Sequence, residues 1–160
     1  MKSIILKINV KKCQFEELGD TDQMVINEAI KATEGSYAKY SHFNVGAAVL
    51  LDNGTVVRGA NQENAAFPSG LCAERVALFA AQANYPDQPV KALAIAAKNE
   101  HGLVPKPVSP CGSCRQVMIE VEQRYNVPMR ILLYGTEGVY IIQSAEELIP
   151  LSFADDDMHQ

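Results

Sequence analysis

VKALAIAAKNEHGLVPKPVSPCGSCRQVMIEVEQRYNVPMRILLYG, residues 90–135, is the stretch whose reading decides the fold. VKALAIAAK at 90–98 and MRILLYG at 129–135 are short apolar runs, the pattern of buried strands. Between them CGSCRQVMIEVEQRY, 111–125, reads as a helix with Pro110 near its start, a favoured place for proline. Two strands joined through a helix belong to one sheet with that helix laid across a face. The same stretch places Cys111 and Cys114 three positions apart. That spacing suits a redox dithiol, half of a structural zinc site, or part of a catalytic zinc site.

Working outward, GVYIIQ at 138–143 is a further strand and SAEELI at 144–149 a short helix capped by Ser144. Upstream, LCAERVALFAAQA reads as a helix starting near Leu71. NVGAAVLLDNGTVVRGANQ carries Asn53-Gly54 between two β-prone runs, a strong hairpin signal. DTDQMVINEAIKATEGSY shows helical spacing at Met24, Val25, Ile26, Ala29 and Ile30, with an Asp or Thr cap near Thr21 and a stop at Gly35. The order is helix, hairpin, helix, strand, helix, strand, strand, helix. It implies an α/β fold, a three-layer α/β/α sandwich with a mixed sheet of about five strands.

The length of 160 residues fits one domain, 1–160, in which residues 1–20 form an N-terminal extension of unassigned role. Apolar residues make up 48% and charged residues 21%, ordinary for a globular chain. A net charge of −5, from 14 Lys and Arg against 19 Asp and Glu, offers no electrostatic footprint for polymeric nucleic acid or an anionic membrane. Lysines at 7, 11 and 12 interrupt the apolar run of MKSIILKINVKK, so it does not read as a signal peptide, and no run approaches the length of a membrane span. The expected location is the cytoplasm. Cys13, Cys72, Cys111 and Cys114 stay reduced there, so metal binding or catalysis outranks a disulfide framework.

Cys72 falls at one predicted helix start, and Cys111 with Cys114 at the next. Helix N-termini present unpaired N–H groups and a positive dipole end, which favour thiolates. Two such ends brought together make a three-thiolate site, and three protein ligands plus water is the pattern of catalytic zinc. Cys13 has no motif around it and reads as a small hydrophobe. Glu74 follows Cys72 by two positions. An acid in a first helical turn is commonly only a dipole partner, but beside a zinc-holding cysteine it points at the open coordination position and serves as an acid–base group. Cys72-x-Glu74 with Pro110-Cys111-x-x-Cys114 is the zinc-deaminase arrangement in its three-cysteine version. Asn61 and Glu63, two apart at an extended strand end, present side chains on one side and can grip one hydroxyl together; a solvated strand end is the plainer reading.

With YSHFNVGAAVL, GANQENAAFPSGLCAER and SPCGSCRQV in that order, the chain resembles the small cytidine deaminases of nucleoside salvage from about Tyr37 to Phe153. The resemblance implies hydrolytic deamination of cytidine and 2′-deoxycytidine to uridine and 2′-deoxyuridine. It implies one Zn2+ per chain, a nucleoside substrate, and a homo-oligomer, tetramer or dimer. It assigns Cys72, Cys111 and Cys114 as zinc ligands and Glu74 as the proton shuttle. The backbone at Ala73 and the carbonyl of Ser109 match contacts to the base, Asn61 and Glu63 match sugar-hydroxyl binders, and Phe43 a pocket aromatic. Phe153 matches a C-terminal aromatic that reaches a neighbouring subunit's site. Arg75 matches an arginine that offsets, by hydrogen bonding, the net negative charge left by three thiolates on a divalent ion.

Other readings remain open on the residues. A deaminase of a cytosine-bearing antibiotic such as blasticidin S shares both zinc motifs. A closed structural zinc module would recruit Cys13 or His42 as fourth ligand and would not need Glu74; a redox dithiol would not need Cys72.

Overall fold

A computed structural model describes residues 1–158. The hairpin forms where Asn53-Gly54 directs it: β2 (Asn44–Leu51) turns into β3 (Val56–Ala60), with Gly54 at φ +83 and the Asn53 side chain accepting from Thr55 N at 3.0 Å. β4 (Val90–Asn99) and β6 (Arg130–Gly135) are connected through α3 (Gly112–Tyr125) and pair in parallel. Every other pairing between strands of the described residues is antiparallel, including that of β6 with β7 (Gly138–Ile142). The sheet is therefore mixed.

Two more strands than the expected five complete it: β1 (Lys11–Cys13), and β5 (Gly102–Leu103) beside β4. The strand order is β1-β7-β6-β4-β2-β3, with β5 off that path. Both additions are too short to carry an apolar period. β1 joins β7 through main-chain pairing, Lys11 opposite Ile141 and Cys13 opposite Val139, so a Lys-rich segment enters the sheet without a sequence signature.

Alternation along the central strands divides the core in two. Ala48, Leu50, Ala92, Ala94, Ala96 and Leu132 pack under α1 (Asp20–Ala32). Ala47, Val49, Leu93, Ile95, Ile131 and Leu133 face α2 (Ala73–Asn84) and α3. This is the three-layer sandwich. α1 is capped by Gly19 rather than near Thr21, and Pro110 lies just ahead of the α3 cap rather than inside the helix. SAEELI forms a 3₁₀ turn, Ala145–Leu148, with Ser144 Oγ accepting from Glu146 N as its cap. No described helix is long and apolar enough to cross a membrane.

Candidate active site

Both helices that cover the second face begin on a cysteine. Cys72 is the N-cap of α2 (φ −69, ψ 154) and Cys111 that of α3 (φ −69, ψ 167), and neither thiol is spent on capping. The close seating of α2 depends on Gly59 of β3: a Cβ there would stand 2.4 Å from Ala77 N and 2.6 Å from Ala73 O. Cys114 follows one turn into α3 and is fully buried, while Cys72 is half-buried and Cys111 exposed.

The three sulfurs gather at one point. Cys72 Sγ lies 3.7 Å from Cys111 Sγ, which lies 3.5 Å from Cys114 Sγ, and all three fall within 4.8 Å of one another. Tetrahedral zinc with bonds of about 2.3 Å requires sulfur–sulfur edges of about 3.8 Å, so the cluster fits that ion. No fourth His, Cys, Asp or Glu joins it among the described residues. Cys13 packs from β1 into the core on the α1 side, and His42 is exposed on a loop at φ +54. A closed four-ligand site built with either one is thereby not formed. Three thiols without a fourth protein donor among the described residues match the donor number of a catalytic zinc site.

Electrostatics follow the same centre. A hydrogen bond from Cys114, opposed by burial and reinforced by Arg75, lowers Cys72 to about 5. Its bond to Cys72, together with burial, pushes Cys114 up. Arg75 Nη2 donates toward Cys72 Sγ at 4.0 Å, placing the guanidinium beside that thiol. Glu74 is 4% exposed, and burial raises its carboxyl above the ordinary range, with the Cys72 charge adding to the effect.

Cys72, Ala73, Glu74, Ser109 and Cys111 share the wall of a cavity of about 180 Å³ with Asn61. Asn61 and Cys72 also line an adjoining cavity of about 380 Å³, whose wall includes Glu63 and Arg75. Asn61 and Glu63 both line the larger cavity, and both tie down the loop ahead of β2. Asn61 Oδ1 accepts from Ser36 Oγ at 2.5 Å and Val45 N at 2.8 Å, and its Nδ2 donates to Phe43 O at 3.0 Å. Glu63 accepts from Ser41 Oγ, from Tyr40 N at 2.7 Å and from Ser41 N at 3.2 Å. These bonds, the Ser41 hydroxyl foremost, hold its carboxyl below the usual range.

Phe43 is half-buried and takes part through its carbonyl; its ring is in neither cavity wall among the described residues. Phe153 is 61% exposed, and its carbonyl accepts from Gln116 Nε2 at 2.8 Å. No pattern in the sequence marks Tyr40 and Phe67, which line the larger cavity with their rings edge to face at 5.8 Å. Phe67 stands in the GANQENAAFPSG block, but an aromatic in a loop carries no spacing signal. Arg115 and Glu122 are likewise silent in sequence, since a charged helix residue reads as a solvated face.

Comparison with known proteins agrees with this geometry. The family model for the cytidine and deoxycytidylate deaminase zinc-binding region matches residues 20–129. A cytidine deaminase of Halalkalibacterium halodurans is 42% identical over 137 residues, 86% of this chain and 97% of that one. The cytidine deaminase of Sporosarcina psychrophila is 39% identical over 136 residues, covering 85% and 93%. Among solved structures, cytidine deaminase from Burkholderia pseudomallei superposes with a TM-score of 0.70 at 38% identity, covering 81% of this chain and 97% of that one.

Proposed function

Because the chain belongs to the cytidine and deoxycytidylate deaminase zinc-binding family, we propose that it hydrolyses cytidine and 2′-deoxycytidine to uridine and 2′-deoxyuridine with release of ammonia. The observation that carries this reading is the buried Glu74 sharing one small cavity with Ser109 and with Cys72 and Cys111, two of the three converged thiols. A structural zinc module has no use for a desolvated carboxyl at that place.

Cys72, Cys111 and Cys114 hold the metal, one ion per chain, whose contribution when bound is to activate water near neutral pH. Glu74 takes the proton of the attacking water, returns it to the ring nitrogen beside the attacked carbon, and assists the departing amine. Its raised affinity for protons suits both halves of that exchange. The Ala73 backbone and the Ser109 carbonyl orient the base and Asn61 and Glu63 the sugar hydroxyls, with Phe43 holding Asn61 through its carbonyl rather than packing its ring on the nucleoside. Arg75 offsets thiolate charge. Phe153, exposed on the C-terminal segment, completes a neighbouring subunit's site in a tetramer or dimer. Residues 1–160 act as one domain, with 1–20 as an extension, in the cytoplasm and in pyrimidine salvage.

The test is direct. Cytidine added to the purified protein should lose its ultraviolet absorbance in step with ammonia release; zinc-loaded protein that leaves cytidine unchanged would overturn the proposal. Glu63→Ala should lower kcat/KM by about tenfold or more, the cost of one charged hydrogen bond, with zinc content intact.

A further inference from the structure

Arg115 stands one residue past Cys114, and its guanidinium joins two main-chain carbonyls on either side of the α3 start. Nε donates to Pro110 O at 2.9 Å and Nη1 to Leu148 O at 2.5 Å. Pro110 directly precedes Cys111, and Leu148 ends the 3₁₀ turn Ala145–Leu148. That turn is itself fixed from α3. Glu122, 8% exposed, accepts from Ala145 N at 2.9 Å, Ser144 Oγ at 2.9 Å and Met129 N at 2.5 Å. Seven positions apart, Arg115 and Glu122 lie on the same face of the helix. Residues 144–148 thus form a fixed rail beside α3, and Arg115 braces the Ser109–Cys111 turn against it.

We propose that Arg115 is a positioning residue: it holds the turn at Pro110 so that Cys111 meets its partner thiols and Ser109 stays in the cavity wall. The inference rests on the zinc-deaminase reading above. Each of the other thiols has a different support, Cys114 through complete burial and Cys72 through the seating of α2 on Gly59. Cys111 is exposed and has no such packing. A guanidinium suits the task because its rigid fork serves two acceptors at once, which a lysine ammonium on a flexible stem does not.

The measurement is the rate at which zinc-loaded protein gives up its ion to a chelating dye, followed without substrate. Arg115→Ala should release zinc about 10- to 100-fold faster than the parent, the usual scale for a residue that orients a ligand. Arg115→Lys should fall between the two, and it decides the matter alone if the alanine variant does not fold. Gln116→Ala removes only the bond to the Phe153 carbonyl and should release zinc at the parent rate. Release from both Arg115 variants within about twofold of the parent would reduce Arg115 to a tie between helix and C-terminal segment. Release from Gln116→Ala as fast as from Arg115→Ala would place the effect in that segment and overturn the proposal equally. A parent that binds zinc but leaves cytidine intact overturns the deaminase reading only, since the release rate is read independently of turnover.

Discussion

The starts of α2 and α3 share a backbone and differ in everything attached to it. Both open on a cysteine with φ near −69 and an extended ψ, and both leave the thiol free of capping duty. At α2 the following turn supplies an acid, Glu74, and an arginine; at α3 it supplies a second thiol, Cys114. The first end is fixed by backbone contact against Gly59, the second by a side-chain brace to Pro110 and Leu148. One local geometry thus serves two tasks, and the task is set by which residue follows the cap.

If both ends hold the same ion, alanine at Cys72 and alanine at Cys114 should be equally severe. Each should abolish turnover and take zinc per chain well below one, as metal analysis with a cytidine assay would show. Unequal zinc loss would break the symmetry of the pair. The acid belongs to α2 alone, so Glu74→Gln should keep zinc and lower kcat by about 10²- to 10⁴-fold. Equal rates for parent and variant would leave the two ends chemically alike.

Smaller effects probe how each end is held. Gly59→Val puts atoms where the α2 backbone lies and should cost about 1–3 kcal/mol of stability by urea unfolding. The smallest expected change is for Cys13→Ser, remote from both ends. Zinc content and turnover should stay near the parent's, and loss of zinc there would reinstate a fourth thiol.

Sequence made the chemistry legible more readily than its supports. Cys72, Glu74, Cys111 and Cys114 were readable because spacing at a helix start is local, and the five main strands because apolar period and the Asn53-Gly54 turn are local too. β1 and β5 escaped because main-chain pairing leaves no residue signature. The Gly19 cap of α1 was displaced by one or two positions for a similar reason: its side chain makes no cap bond. Arg115 and Glu122 were silent because their partners are carbonyls and amides brought close only by the fold. Asn61 and Glu63 stand out as a pair by their spacing, but their grip on Ser36, Ser41 and Val45 depends on a loop with no pattern of its own.

The parallel pairing of β4 with β6 has a consequence for assembly in time. Cys72 and Cys111 are 39 residues apart along the chain, with β4 between them. Their meeting is a long-range contact, and the loop-closure entropy it costs precedes its reward. Cys111 and Cys114 offer an unfolded chain only two neighbouring thiols, so the complete site forms late. An ion that binds only the assembled three-thiol site would add stability by mass action to the folded chain, as a latch does.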